Sequence, residues 1–131
     1  MGWLRGRPFA LPPDIAAALA EIFGDEAAQV RIFERSFYAR LHGACAVTRP
    51  GRIHVAGSGD ELCRRPELLL HEYCHVLHQW HTGELTRLGY LAELLLRGYW
   101  HNRFEIAARD FAQRELGRLQ VALRRRGRAL G

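Results

Sequence analysis

The segment from Pro66 to about His81 constrains the fold more than any other part of the chain. We predict one long helix here, because proline is tolerated in a first helical turn and apolar side chains occupy most faces of the turns that follow. One strip along this helix is polar. It consists of His71, Glu72, His75, His78 and Gln79. A helix suited to a protein core does not bury such a strip unless its groups satisfy one another, because an unpaired buried charge is costly. A bound metal ion would satisfy them; the alternative is a polar face in contact with water.

Three residues of this strip belong to the run His71-Glu72-Tyr73-Cys74-His75, which matches the H-E-x-x-H pattern. Residues four apart lie about 40° apart around an α-helix, so both imidazoles can bind one zinc ion. The carboxylate of Glu72 projects beside this pair, where it can accept a proton from a metal-bound water. We therefore predict that His71 and His75 are metal ligands and that Glu72 is a general base.

A catalytic zinc site usually has a third protein ligand and one open position. His81 occupies the last position of the longer H-E-x-x-H-x-x-G-x-x-H pattern of the metzincins. However, His78 stands where that pattern has the glycine that turns the chain back to the metal. In the other arrangement, that of the gluzincins, the third metal ligand is a glutamate on a later helix.

Two glutamates are candidates for that position, Glu93 and Glu105. Glu105 is favoured, because it lies one turn inside a helix that Asn102 can cap and its neighbours are small or apolar. Glu93 can instead form a surface ion pair with Arg97, four residues later. Glu105 is therefore the predicted third ligand.

Four further side chains near this segment have candidate supporting roles. Tyr99 and His101 are candidates to stabilise an oxyanion in the transition state. Arg109 and Asp110 are candidates to orient a ligand, or are simple surface groups. The sequence does not choose among them.

The whole chain predicts an α+β fold, with a small N-terminal β-sheet followed by a mainly helical half. A first helix is expected over 15–24 and a short one over 36–42. Strands are expected at 30–34, 44–48 and 53–56, the last two joined by a Pro-Gly turn, and 57–60 is expected to be a loop. Two helices, from 84 to about 98 and from 102 to about 126, follow the H-E-x-x-H helix.

The chain has 131 residues and a mass of 15.0 kDa, which predicts one domain over 1–131. Its net charge is +5 and all 19 basic residues are arginine, with four of them in a short C-terminal tail at 124–131. Without those four the body is nearly neutral, so a nucleic-acid partner is not expected, and the tail is expected to be solvated.

Targeting signals and cysteines indicate the compartment. The N-terminus has no signal-peptide core, and no apolar run approaches the length that crosses a bilayer, so no membrane partner is expected. Three irregularly spaced cysteines are typical of reduced thiols. We expect a cytoplasmic protein, with non-classical export as an open possibility.

Several of these segments together resemble a known family. The first helix, the strands at Val30, Ala46 and Ile53, and the run from Leu69 to Gln79 are similar to the zincin-like core domain of extracellular contractile injection system proteins and bacterial toxins. The resemblance covers about half of the chain. That domain is classed as of unknown function and regarded as a candidate metallopeptidase. The family usually has glutamine where this chain has His78.

The segment from Tyr90 to Ala108 is similar to other small H-E-x-x-H proteins, in which an asparagine-x-x-glutamate before alanines supplies the third ligand. Here that motif is Asn102 to Glu105. The resemblance implies a zinc-dependent metalloendopeptidase of gluzincin type that acts on a peptide or protein substrate. The alternative is an inactive, metal-stabilised module that docks onto a secretion or toxin assembly, its site closed by a fourth ligand such as His78 or His81.

Overall fold

The computed structural model describes residues 5–43 and 45–128, and it confirms the α+β class. A four-stranded sheet packs against the longer helices around one hydrophobic core. The first helix, α1, spans Pro13–Phe23 and is followed by a 3-10 turn at Asp25–Gln29. Fully buried side chains of α1, the sheet and the later helices meet in the core. They include Ile15, Leu19, Ile53, Leu70, Tyr73 and Leu123.

The sheet contains β1 (Arg7–Phe9), β2 (Arg31–Glu34), β3 (Ala46–Arg49) and β4 (Arg52–Val55), in the order β1-β2-β4-β3. β2 and β4 are parallel, and the two outer pairs are antiparallel. The predicted Pro-Gly hairpin is confirmed, since Arg49 pairs with Arg52 across Gly51, whose φ is +73°. The expected strand start at Ala44 lies outside the described residues. β1 was not predicted, because three residues that include a proline give no strand signal.

Two short helices connect the strands to the helical half. α2 spans Phe37–Leu41, as predicted, and the Ser36 side chain accepts a hydrogen bond from the amide of Ala39. α3 spans Gly59–Cys63, so the expectation of a loop over 57–60 is wrong in part. Glycine at 59 indicated a loop, but it is the first residue of this helix. A side chain is excluded there because the Phe9 ring occupies the space that a Cβ would need.

The H-E-x-x-H segment forms α4 over Pro66–Cys74 and continues as a π-helix over His75–Trp80. The predicted helix is therefore present, but its second half has wider turns than an α-helix. The amide of His81 accordingly donates to the carbonyl of Val76, five residues earlier, at 2.9 Å. Apolar periodicity alone does not separate the two helix types.

The last two helices are α5 (Arg87–Arg97) and α6 (Arg103–Arg125). α5 begins three residues later than predicted, because the Thr86 hydroxyl caps it by accepting from the amide of Gly89. Asn102 caps α6, as its motif indicates, by accepting from the amide of Phe104 at 2.9 Å. No helix in the described ranges is both long enough and apolar enough to cross a membrane.

The predicted basic tail is exposed over 124–127, as expected, but several of its arginines are paired with carboxylates. Arg125 closes the last turn of α6, and Arg126 follows it; both guanidinium groups pair with Glu21 of α1. Arg128 pairs with Asp14 at the start of the same helix. Residues 129–131 of the predicted tail lie outside the described ranges.

Candidate metal centre

Three of the four predicted site residues meet at one point. The Nε2 atom of His71 lies 2.9 Å from Oε1 of Glu105, and Nε2 of His75 lies 3.1 Å from the same oxygen. The two Nε2 atoms are 3.1 Å apart. A tetrahedral zinc ion with bonds of about 2.0–2.1 Å separates its ligand atoms by about 3.3 Å, so these atoms approximate one face of a tetrahedron.

Two helices position these atoms. His71 and His75 project from α4 and the first turn of the π-helix, and Glu105 projects from the first turn of α6. Asn102 is fully buried and fixes the start of α6, so the cap places the carboxylate of Glu105 three residues later. The three ligand atoms lie between helices that pack closely along their lengths.

Gln79 determines which nitrogen of His75 faces the other ligands. Its Nε2 donates to the carbonyl of Phe104 at 2.9 Å, so its Oε1 points to Nδ1 of His75 at 2.7 Å. A carbonyl oxygen can only accept, which assigns the proton to Nδ1 of His75. If a metal ion displaced the proton from Nε2 of His75, the lone pair of that nitrogen would face Glu105 and His71, as metal ligation requires.

A cation suits this arrangement because the site is buried and rich in acceptors. Burial raises the pKa of the Glu105 carboxyl, but hydrogen bonds from His71 and His75 outweigh burial and hold the pKa well below its usual range. Burial lowers the pKa of His75, but its contacts with Glu105 outweigh burial and leave the pKa raised. A metal ion would replace the proton that these contacts otherwise need.

The second carboxylate oxygen of Glu105 is held by a residue that the sequence did not indicate. The hydroxyl of Tyr90, on α5, donates to Oε2 of Glu105 at 2.8 Å. Burial and the nearby carboxylate raise the pKa of Tyr90, so the hydroxyl keeps its proton. Tyr90 therefore orients Glu105 with Oε1 toward the histidines.

Glu72, the predicted base, is buried beside the three ligands. Burial raises the pKa of its carboxyl, and the opposing charges of His75 and His71 do not offset that effect. A carboxyl group with a raised pKa holds a proton more readily than an exposed glutamate does, which suits a group that accepts and then returns a proton.

The other candidate ligands lie elsewhere. His81 is exposed, with Nε2 3.6 Å from Oε1 of Glu26. The ring of His78 packs edge-on against Phe23 and Phe111. Glu93 forms ion pairs with Arg97 and Arg103, as the surface alternative required. In the described part of the chain, only His71, His75 and Glu105 form a group of three or more such side chains.

No protein-family model, curated protein or solved structure matches the chain. The resemblance to the zincin-like core domain therefore stays a prediction. The function of this centre has to be inferred from its own geometry.

The predicted supporting residues divide into two groups. Tyr99 lies near Glu105: burial and that carboxylate raise the pKa of Tyr99 to about 12. His101 is exposed in the turn before α6. Arg109 stacks on Trp100 at 4.0 Å and donates to its carbonyl, and Asp110 lines an open surface depression, so neither was found to orient a ligand.

Sequence reasoning missed two residues of the centre. Gln79 was placed on the polar strip without a role, although its position four residues after His75 was a usable signal. Tyr90 carries no motif. Only the packing of α5 over the start of α6 brings its hydroxyl to Glu105.

Proposed function

We propose that the protein is a zinc-dependent peptide hydrolase of gluzincin type, with His71, His75 and Glu105 as metal ligands and Glu72 as general base. The observation that carries the proposal is the convergence of one Nε2 atom from each histidine and one carboxylate oxygen within 3.1 Å of one another. No fourth His, Cys, Asp or Glu side chain of the described residues joins them, which leaves a position for water, as catalytic zinc sites require.

His71, His75 and Glu105 would hold the zinc ion, which would supply Lewis acidity: it would lower the pKa of a water to about 7 and polarise a peptide carbonyl. Glu72 accepts the proton of the attacking water and returns it to the amine that leaves when the C–N bond breaks. Its buried surroundings favour the protonated form between these two transfers. Gln79 and Tyr90 act through the ligands, because they hold His75 and Glu105 in place.

Metal analysis of purified variants tests the ligand set. Glu105→Ala should bind less than a tenth of the zinc bound by the parent, whereas Glu93→Ala should bind as much as the parent. Glu93 is the matched control, because it is a half-buried glutamate on the neighbouring helix whose partners are arginines. Zinc bound equally by Glu105→Ala would contradict the proposed third ligand.

Peptide cleavage tests the chemistry. The zinc-loaded protein is incubated with a peptide mixture from a digested proteome, and new termini are identified by mass spectrometry. Glu72→Gln should keep its zinc and lose cleavage by a factor of about 10² or more, because the amide cannot accept the proton. Glu67→Gln is the control, since Glu67 is exposed in the first turn of the same helix. Undiminished cleavage by Glu72→Gln would contradict the mechanism.

The position of the ligands between two packed helices favours a second candidate function. A metal ion there would join α4 to α6 and stabilise the fold whether or not it catalyses a reaction. The chain would then be a metal-stabilised module that docks onto a larger secretion or toxin assembly. Stoichiometric zinc with no cleavage by the parent in the same assay would support this second function.

A further inference from the structure

α5 presents most of its leucines to solvent, whereas Tyr90 and Glu93 face the rest of the protein. Leu88, Leu91 and Leu95 recur at helical spacing on one face, and Leu96 lies beside them. Leu88 is 80% exposed, Leu95 77% and Leu96 82%, and no residue of α5 is buried. The opposite face carries Tyr90 and Glu93, which bond to α6.

This leucine face continues into an aromatic turn. Tyr99 and Trp100 follow α5 directly and are 55% and 65% exposed. Several large apolar side chains exposed on one helix and the turn that follows it are typical of an interaction site, because their contact with water is unfavourable. We define the apolar surface as Leu88, Leu91, Leu95, Leu96, Tyr99 and Trp100.

Positive charge borders the apolar surface. Arg87 opens α5, Arg97 closes it, and Arg103 follows the aromatic turn. The one carboxylate on this helix, Glu93, is already shared between Arg97 and Arg103 and points inward. Between residues 87 and 103 three arginines stand against this one carboxylate, so the border keeps a net positive charge, which is complementary to anionic headgroups.

The size of the surface does not suit a stable protein dimer. An 11-residue helix is about 16 Å long and about 10 Å across, so its outer half presents on the order of 300 Å². Even with the aromatic turn, this is less than the about 800 Å² that each partner buries in a standard protein–protein interface.

We propose that this apolar surface docks the protein onto an anionic lipid bilayer, with α5 lying in the plane of the interface. Leucines on one face enter the boundary between headgroups and acyl chains, tryptophan and tyrosine lie at headgroup depth, and arginines contact the phosphates. The helix is far too short to span the bilayer, so the attachment is peripheral. Docking does not depend on the proposed hydrolysis, although Tyr90 places α5 directly against Glu105.

Vesicle flotation tests the proposal on the full chain. The parent should float with vesicles of about 70% phosphatidylcholine and 30% phosphatidylglycerol, and at least about tenfold less with pure phosphatidylcholine. Leu88→Glu/Leu95→Glu should lower partitioning onto the anionic vesicles by about tenfold or more. Both positions are so exposed that the fold does not need them.

The matched control is Leu41→Glu/Val121→Glu, which adds the same charge at apolar positions that are 66% and 52% exposed on other helices. This control should float with the anionic vesicles to the same extent as the parent. Zinc content and circular dichroism should be unchanged in both variants. A parent that fails to float, or a Leu88/Leu95 variant that floats no less than the control, would overturn the proposal. A further outcome is that the parent fails to float and instead forms a dimer in sedimentation velocity, while Leu88→Glu/Leu95→Glu stays monomeric. That result would overturn the proposal as well, because a second copy of the chain would then cover the surface.

Discussion

At the scale of single residues, one buried amide, that of Gln79, fixes the orientation of a histidine in the candidate metal centre. It is 4% exposed, and both ends of its amide are bonded, one to the carbonyl of Phe104 and one to His75. The first bond fixes the orientation of the amide, and the second therefore fixes the protonated nitrogen of His75. A partner of this kind outside the ligand set commonly contributes tenfold or more to metal affinity.

We accordingly expect Gln79→Leu to weaken zinc binding by about 10- to 100-fold while retaining the fold, because His75 loses the acceptor that selects its ligating tautomer. Competition with a zinc-chelating dye measures the change. Gln113→Leu, at an exposed glutamine on α6, is the control and should bind zinc like the parent. Equal affinities for the two variants would show that His75 does not need this acceptor.

Single residues of the centre were predictable where the signal was local. His71, Glu72 and His75 follow from helical spacing within five residues, and Glu105 follows from its place after a helix cap. Tyr90 was not predictable, because its role depends on where α5 lies relative to α6. The sequence instead drew attention to Tyr99, which is close to Glu105 but more exposed.

At the scale of elements, the change from α-helix to π-helix at His75 separates two tasks. The amide of His75 still bonds to the carbonyl of His71, so the pair keeps the α-helical spacing that brings the two Nε2 atoms together, and the π-helix begins at His75. Gln79 then reaches back to His75, and the ring of His78 packs edge-on against Phe23 and Phe111. π-helical segments frequently occur at functional sites. The sequence predicted the helix but not this change, because its apolar pattern fits both forms.

The cap of α6 carries a prediction at the same scale. Asn102→Ala should lower the free energy of unfolding by about 1 kcal/mol, and up to about 2, because the amide of Phe104 loses its acceptor. It should also weaken zinc binding, since the cap positions Glu105. Denaturant unfolding and dye competition measure the two effects.

Ser58→Ala is the control for that prediction. Ser58 caps α3 by accepting from the amide of Glu61 at 3.2 Å, in a helix that contributes no metal ligand. Its loss should cost a similar free energy of unfolding and leave zinc affinity unchanged. Parallel losses of zinc affinity in both variants would mean that the effect of Asn102→Ala is general destabilisation.

For the whole molecule, we expect the candidate metal centre to couple zinc binding to stability, because its residues come from two helices that form much of the core. Free zinc at about 1,000 times its dissociation constant would stabilise the folded chain by about 4 kcal/mol. In a domain of this size that corresponds to a rise in Tm of roughly 10 °C or more.

Thermal melting with and without a chelator measures this coupling. The zinc-loaded parent should melt roughly 10 °C above the chelated protein, and Glu105→Ala should melt at one temperature in both conditions. A parent whose Tm does not respond to zinc would contradict the coupling.

The distribution of charge over the molecule was the least predictable property. Near the C-terminus, Arg125 and Arg126 share the carboxylate of Glu21 and Arg128 pairs with Asp14, so ion pairs offset only part of the positive charge there. Arg31 and Arg52 add positive charge on the sheet, where Arg31 covers the ring of Phe33 and Arg52 donates to His54. Neither has a carboxylate within 4.0 Å among the described residues. The ion pairs near the C-terminus join residues that are remote in sequence, so a count of charges along the chain did not predict which arginines are paired.

The outward-facing leucines of α5 also affect the free energy that is needed to move this helix away from the candidate metal centre. A helix that buries no side chain gains almost nothing from the hydrophobic core, and what holds it is a few polar contacts such as those of Tyr90 and Glu93. Its opening free energy should therefore be small compared with that of α4 or α6. The helix whose tyrosine bonds to Glu105 is thus the one that can detach locally while the rest of the molecule stays folded, and a bilayer that held α5 by its leucines would change how often it does so.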